Sequence, residues 1–253
     1  MRFVRATVTL AAILVAWHAV VLVSGLPHFI LPSPLRVGAM LADRASLIAT
    51  HAAYTLAEIL LGLALGTLLG CTTALTLAAF RPARRWLLPL LVVSQAVPVF
   101  ALAPILVLWF GYGMASKIVM ATLVIYFPVT SAFYDGLRRT DPGWLDLART
   151  MDGPRWRVLW HVRLPAALPA FASGLRVAAA VAPIGAVVGE WVGSSVGLGF
   201  LMLHANARMQ TDLMFAALAV LAAMAVTLYV AVDFVLRRLL PWQPETLLTD
   251  EGE

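Results

Sequence analysis

Residues 135–165 read DGLRRTDPGWLDLARTMDGPRWRVLWHVRLP, a basic, amphipathic stretch set between two long apolar runs. Asp141 and Pro142 form a side-chain cap followed by a first helical residue whose missing N–H costs nothing there. Trp144, Ala148 and Met151 then recur at helical spacing, with Leu145 and Leu147 beside them. Asp152-Gly153-Pro154 ends that helix, because glycine accepts a left-handed turn and the residue before proline is pushed out of helical space. A second short helix is expected from Pro154, with Trp156, Leu159 and Trp160 on one side and Arg155, Arg157 and His161 around the other. Two roles fit this pattern: an amphipathic pair lying on anionic headgroups, or a docking surface for a soluble partner.

Outward from this island the chain is oily. Hydrophobic residues make up 62% and charged residues 12%, against about 45–50% and about 25% in ordinary soluble domains. A helix needs about 20 mostly apolar residues to cross the hydrocarbon core. The runs between charges therefore predict an all-α polytopic membrane protein with about six transmembrane helices. They fall near 6–25, 51–80, 86–116, 118–134, 166–190 and 213–232. The third is expected to break at Pro98 and Pro104, and the fifth to be interrupted in the same way at Pro183 and Gly185. Pro34 to Thr50 and Ser194 to Thr211 are too polar or too short to span and read as re-entrant or interfacial. Gly62, Gly66 and Gly70 make a small-x-x-x-small ridge for close helix packing.

Basic residues orient the chain. With six spans, one side holds thirteen: Arg2, Arg5, Arg81, Arg84, Arg85, Arg138, Arg139, Arg149, Arg155, Arg157, Arg163, Arg237 and Arg238. The other holds Arg36, Arg44, Lys117 and Arg208. The positive-inside rule places both termini and the island in the cytoplasm. The net charge of +5 is then a topology signal and calls for no nucleic acid. Arg2 and Arg5 before an apolar run also resemble a signal peptide, but no A-x-A pattern lies near Ser24-Gly25, so a retained span is expected.

The chemistry-bearing patterns of soluble enzymes are missing from the sequence. Cys71 is the only cysteine, so no intrachain disulfide or cysteine-rich metal site can form. His18, His28, His51, His161 and His204 show no metal-ligand spacing, and there is no G-x-S-x-G elbow. Lys117 is the only lysine and is followed by Ile118, so no phosphate-cradling Gly-Lys-Ser/Thr loop exists here. No catalytic residue, cofactor or metal is expected, and ATP energy would have to come from another chain. Ionisable groups at membrane depth are the candidates for a translocation path: Glu58, Arg176 and Glu190, with Trp191 as a stacking face for a ring. Trp191 also suits an interfacial aromatic belt, and Arg176 suits a snorkelling or helix-pairing role.

Asp146-Leu147-Ala148, Asp152, Val162, Leu164 and Pro165 fall at the spacing of an E-A-A-x3-G-x9-I-x-L-P motif. By these residues the chain resembles the permease subunits of binding-protein-dependent ABC importers. Asp146 stands for the Glu, Leu147 for an Ala, and Asp152 occupies the Gly position with Gly153 one place later. The resemblance implies a type I ABC importer permease fold in a single domain over 1–253, with a core at about 50–240. It makes 135–165 a coupling loop that contacts the ATPase through Trp144, Asp146, Leu147, Ala148, Met151, Asp152, Gly153, Leu164 and Pro165. It implies two ATPase subunits, a periplasmic or lipid-anchored binding protein, a second permease copy and a place in the bacterial inner membrane. Ile30-Leu31-Pro32-Ser33-Pro34, His51 with Tyr54-Thr55-Leu56, and Pro98 to Pro104 resemble the nitrate, sulfonate and taurine branch. Residues 184–191, IGAVVGEW, and 237–242, RRLLPW, more closely resemble permeases for hydroxymethylpyrimidine, the pyrimidine precursor of thiamine. The rival class, a self-sufficient secondary transporter, calls for mid-span coupling carboxylates and paired repeats. Glu58, Glu190 and Asp233 sit near span ends and no repeat is evident. A membrane-embedded enzyme would need clustered His and acidic residues at an interface.

Overall fold

The computed structural model describes residues 2–242; Met1 and 243–253, where the two termini assigned to the cytoplasm lie, fall outside them. Among the described residues every regular element is helical, and the order follows the hydropathy. The helix α1 (Arg2–Ser24) precedes a short α2 (Pro34–Asp43), whose cap Ser33 accepts from the Arg36 N–H at 3.4 Å. Then come α3 (Ala45–Ala79), α4 (Arg81–Ser94), α5 (Val99–Phe110) and α6 (Met114–Arg138). After α7 (Pro142–Thr150) and α8 (Arg155–Val158), a single π turn at Leu159–Arg163 leads into α9 (Leu164–Gly193). The chain closes with α10 (Leu198–Ala207) and α11 (Thr211–Leu239). Five helices are long and apolar enough to cross a membrane, and six spans result when the bent pair α4 and α5 is taken as one.

Several expected boundaries move. The third span is broken at residues 95–98, which include Pro98 as expected, and the two helices bend there by 101°; α5 continues through Pro104, which does not break it. Pro183 and Gly185 leave α9 unbroken, so neither interrupts the fifth span. A proline N–H is lost in such a helix, but its neighbours can re-satisfy the freed carbonyl. Residues Ala45–Thr50, expected to lie at the interface, are the first turns of α3. At 35 residues α3 is about 50 Å long, well beyond the roughly 30 Å hydrocarbon thickness.

The described chain divides into two compact units. One comprises 1–61, 102–120 and 183–224. Its core gathers Val37, Ile48, Leu198, Leu201, Leu213 and Ala216, with Trp17 stacked on Phe215 at 5.9 Å. An Arg36–Asp212 ion pair of 2.8 Å joins α2 to the start of α11. The other comprises 62–101, 121–182 and the described residues from 225 on. There the glycine ridge packs as expected: a Cβ on Gly62 would lie 2.5 Å from Ala121 Cβ, one on Gly66 2.7 Å from Ile125 Cγ2, and one on Gly70 2.8 Å from Val129 Cγ1. Only glycine lets α3 approach α6 this closely.

Candidate functional site

The island holds the expected short helix α7, and its second helix starts after Pro154 as expected but runs on into a long span. α6 runs on to Arg138, and the second predicted helix, α8, is continuous through the π turn with α9. Within 135–165, the stretch between the two long helices is 139–154. Its base is clipped shut: Arg163 donates through Nε (3.1 Å) and Nη2 (2.7 Å) to the Leu137 carbonyl, one of the orphan acceptors at the end of α6. Asp141 caps α7 by accepting from the Gly143 N–H at 2.6 Å. The stop of α7 is a two-bond turn, with Asp152 N–H donating to Arg149 O and Gly153 N–H to Ala148 O, both at 3.0 Å. Asp152 takes the left-handed position at φ +49°, which is the geometry glycine usually supplies. The departure of this chain at the Gly position of the motif therefore leaves the turn intact.

No residue of α7 is buried. Trp144, Leu147 and Met151 are nonetheless exposed, the last by 75%. They line, with Ala148, His161, Val162, Pro165, Ala166, Pro169 and Trp242, an open apolar groove of about 830 Å³. On its other flank, Leu145, Arg149 and Gly153 face a second groove of about 700 Å³ shared with Arg81, Arg84 and Arg155. Asp146 pairs with Arg149 at 2.6 Å on the exposed surface. Trp156 and Trp160 meet edge to face at 5.3 Å. Leu164 packs inward beside Phe133 and Leu137, while Pro165 faces the groove.

The membrane-depth candidates Glu58 and Glu190 meet in one buried polar cluster, with three residues the sequence reading passed over: His51, Thr55 and Lys117. Helix α10 begins at Gly197, which has φ +115° and no side chain to cap with. Its first N–H groups are taken by distant side chains. Gly197 N–H donates to His51 Nδ1 (3.0 Å), Leu198 N–H to Thr55 Oγ1 (2.8 Å), and Gly199 and Phe200 N–H to Glu190 Oε2 (2.5 and 3.4 Å). Thr55 Oγ1 donates to Glu190 Oε1 at 2.6 Å. A carboxylate here also faces the positive end of the helix dipole. Lys117 is 1% exposed, and its ammonium donates to the carbonyls of Tyr112 (2.6 Å), Gly113 (2.9 Å) and Gly193. Its stem lies on Gly189, where a Cβ would be 3.2 Å from Lys117 Cα. The missed residues had a signal: His51, Thr55 and Glu58 recur at i, i+4 and i+7 on one face of α3.

The other two candidates have surroundings of their own. Trp191 is half exposed, whereas Glu190 beside it is buried. Arg176 pairs with Asp233 of α11 at 2.7 Å, and Arg237 holds the second oxygen of Asp233 at 2.8 Å, the helix-pairing role foreseen for it. Among the described residues no His, Cys, Asp and Glu group could hold a metal ion.

Residues 62–243 match the family of the binding-protein-dependent transport system inner membrane component. The chain belongs to this family. It is 57% identical to a probable ABC transporter permease protein of Haemophilus influenzae, over 94% of this chain and 97% of that one. It is 37% identical to the formylaminopyrimidine transport permease protein ThiX of Halalkalibacterium halodurans (91% and 92% covered). It is 39% identical to the riboflavin transport system permease protein RibX of Chloroflexus aurantiacus (93% and 89%). Taurine and aliphatic-sulfonate permeases are further relatives. In fold it is similar to a chain of the inward-facing MetNI methionine ABC transporter, with a TM-score of 0.67 at 18% identity over 78% of this chain and 97% of that one. The chain is thus a multi-pass permease subunit of an ABC importer, with the type I permease fold, and its family implies ATPase and substrate-binding partners.

Proposed function

We propose that this permease imports a small, polar, heteroaromatic solute, the hydroxymethylpyrimidine precursor of thiamine, with a sulfonate, taurine or nitrate as the second reading. Support comes from the relative named for formylaminopyrimidine, with a riboflavin permease beside it. It comes also from the residues of 184–191 and 237–242, and from the charge of the spans. An anion path favours basic groups, yet Arg176 is held by Asp233 and Lys117 by backbone carbonyls. In a thiamine-synthesis mutant, growth on low external hydroxymethylpyrimidine should require this gene, while growth on alkanesulfonates as sulfur source should not. The reverse dependence would overturn the substrate reading and favour the sulfonate one.

In this reading a single permease domain spans 1–253 in the bacterial inner membrane, with both termini cytoplasmic. Two copies form the path, two ATPase subunits grip the 135–165 loops, and an external binding protein delivers the cargo. The observation that carries the coupling role is an α7 with no buried residue that still exposes Trp144, Leu147 and Met151; such patches mark interaction sites. Ala148, Asp146 and the Asp152-Gly153 turn set the shape of that face, and Leu164 and Pro165 carry its motion into α9. ATP-driven closure of the ATPase pair would move the clipped loop as a rigid lever, and no covalent chemistry falls to this chain. Ala148→Arg should uncouple or dissociate the ATPase by driving a charge into a packed groove. Normal assembly and substrate-stimulated ATP hydrolysis in that variant would remove α7 from the coupling role. As a path residue, Glu190 would act through α10, whose first N–H groups it holds; Glu58 is buried with one carboxyl oxygen unpartnered, and Trp191 would be the exposed group left to face a ring.

A further inference from the structure

We infer that the groove on the outer flank of α7, between it and the facing ends of α3 and α4, binds the headgroup of an anionic phospholipid of the inner leaflet. Five arginines line its space of about 700 Å³: Arg81 and Arg84 at the start of α4, Arg149 on α7, Arg155 on α8 and Arg163 in the π turn. No aspartate or glutamate lines it. Two of the five have partners of their own, since Arg149 holds Asp146 at 2.6 Å and Arg163 donates to the Leu137 carbonyl. Arg81, Arg84 and Arg155 are exposed, and their side chains make no ion pair or hydrogen bond among the described residues. Like charges gathered without a counter-charge repel one another, and an anion between them removes that cost. The planar fork of a guanidinium matches the oxygens of a phosphate, so a phosphate group is the chemistry this groove fits.

The position of the groove selects a lipid over a soluble phosphate. Its walls include the end of α3 and the start of the Arg155–Gly193 span, both long and apolar enough to cross a membrane, so it opens where hydrocarbon gives way to headgroups. The choice of leaflet rests on the topology proposed above, which makes that side cytoplasmic; basic pockets between helices on that side hold anionic headgroups. Phe80 and Trp156 line the same groove and are exposed by 62% and 64%, as aromatic residues of an interfacial belt are. Beyond Arg84, α4 has no buried residue and sets Trp86, Leu90 and Val93 on one exposed face at i, i+4 and i+7. An acyl chain can lie along that face, which a free phosphate would not use. The loop thus divides its flanks: Trp144, Leu147 and Met151 serve the ATPase, and Arg149 and Arg155 serve the lipid.

Native mass spectrometry of the purified transporter complex, titrated with dioleoylphosphatidylglycerol or dioleoylphosphatidylcholine, tests the site. Both lipids carry a phosphate diester and the same chains, and only the first has a net charge. The wild-type complex should retain phosphatidylglycerol in preference, and millimolar inorganic phosphate should not displace it. Arg81→Gln, Arg84→Gln and Arg155→Gln combined should weaken that binding by about tenfold or more. Arg85→Gln, Arg139→Gln and Arg157→Gln combined remove the same charge outside the groove and should leave it close to wild type. Equal retention of the two lipids by the wild-type complex overturns the inference before any variant is made. Displacement by phosphate would make the groove an ion site, and an equal loss in both variants would make the binding a matter of overall charge; either outcome refutes it. A groove variant that keeps its lipid but sheds the ATPase would assign the arginines to an acidic face of that partner instead. A detergent-solubilised complex has no sides, so these readouts stand apart from the topology, which thiol labelling of the loop decides.

Discussion

At the scale of single residues, the molecule uses side chains where a backbone position lacks its own solution. Asp152 stands at φ +49° where the motif ordinarily has glycine. A non-glycine residue in left-handed space costs roughly 1–2 kcal/mol, less for Asp, whose short polar side chain bonds locally. Asp152→Gly should therefore keep the α7 stop and raise the thermal midpoint slightly, corresponding to about 1 kcal/mol or less. Asp152→Val should lower it and weaken ATPase assembly, because a β-branched residue resists that conformation. Thermal melts of the purified complex, read beside assembly on a sizing column, distinguish the two; equal midpoints would show that the φ of residue 152 carries no energy. Gly197 shows the opposite arrangement. Its φ of +115° admits glycine, which cannot cap α10, so His51, Thr55 and Glu190 supply the acceptors from α3 and α9.

At the scale of elements, the α3–α6 contact has the least room for change. Gly62, Gly66 and Gly70 are spaced by four, and each sits against a side chain of α6 one turn further along. A Cβ at Gly66 would meet both Ile125 Cγ2 at 2.7 Å and the Thr122 carbonyl at 3.2 Å, and the latter is backbone that cannot rotate away. Gly66→Val should push the helices apart and cost about 1–3 kcal/mol or more by overpacking. The readout is the thermal midpoint and the yield of assembled transporter. A variant that melts and assembles like wild type would mean that α6 can shift without penalty. By contrast the α7 loop is built to stay exposed, with its rigidity drawn from the Arg163 bonds to Leu137 O and from the capped ends of the helix.

At the scale of the whole chain, the functional assignment rests on which side each loop occupies. The basic residues divide thirteen to four between the two sides, a bias that orients helices during insertion. With Cys71 replaced by serine, a cysteine introduced at Arg139 should be shielded from a membrane-impermeant thiol reagent in intact cells, and one at Ser194 should react. Labelling of position 139 from outside would invert the topology and remove the loop from any cytoplasmic partner. Lys117, counted among the four, has its charge buried against three carbonyls rather than displayed.

The sequence by itself determined the class, the helical spans, the α7 cap and stop, the glycine ridge and the family, because each depends on local composition or on spacing along one helix. Hydropathy reports the lipid that a helix must face, and i, i+4 spacing reports a shared face, whichever partner covers it. It placed the start of the second loop helix at Pro154 but not its continuation into α9, and it expected interruptions at Pro104 and Pro183 that do not occur, because whether a proline breaks a helix depends on neighbours that accept or refuse the bend. Only the tertiary structure decided that Glu58 and Glu190 meet, that Thr55 and His51 complete the cap of α10, and that Lys117 lies buried beside them. Those groups come from α3, α6 and α9; the spacing of His51, Thr55 and Glu58 marks a polar face on α3, but which groups of the other two helices meet that face is written in neither of them. The burial of a charge is set by what packs around it, and that is a property of the folded chain alone.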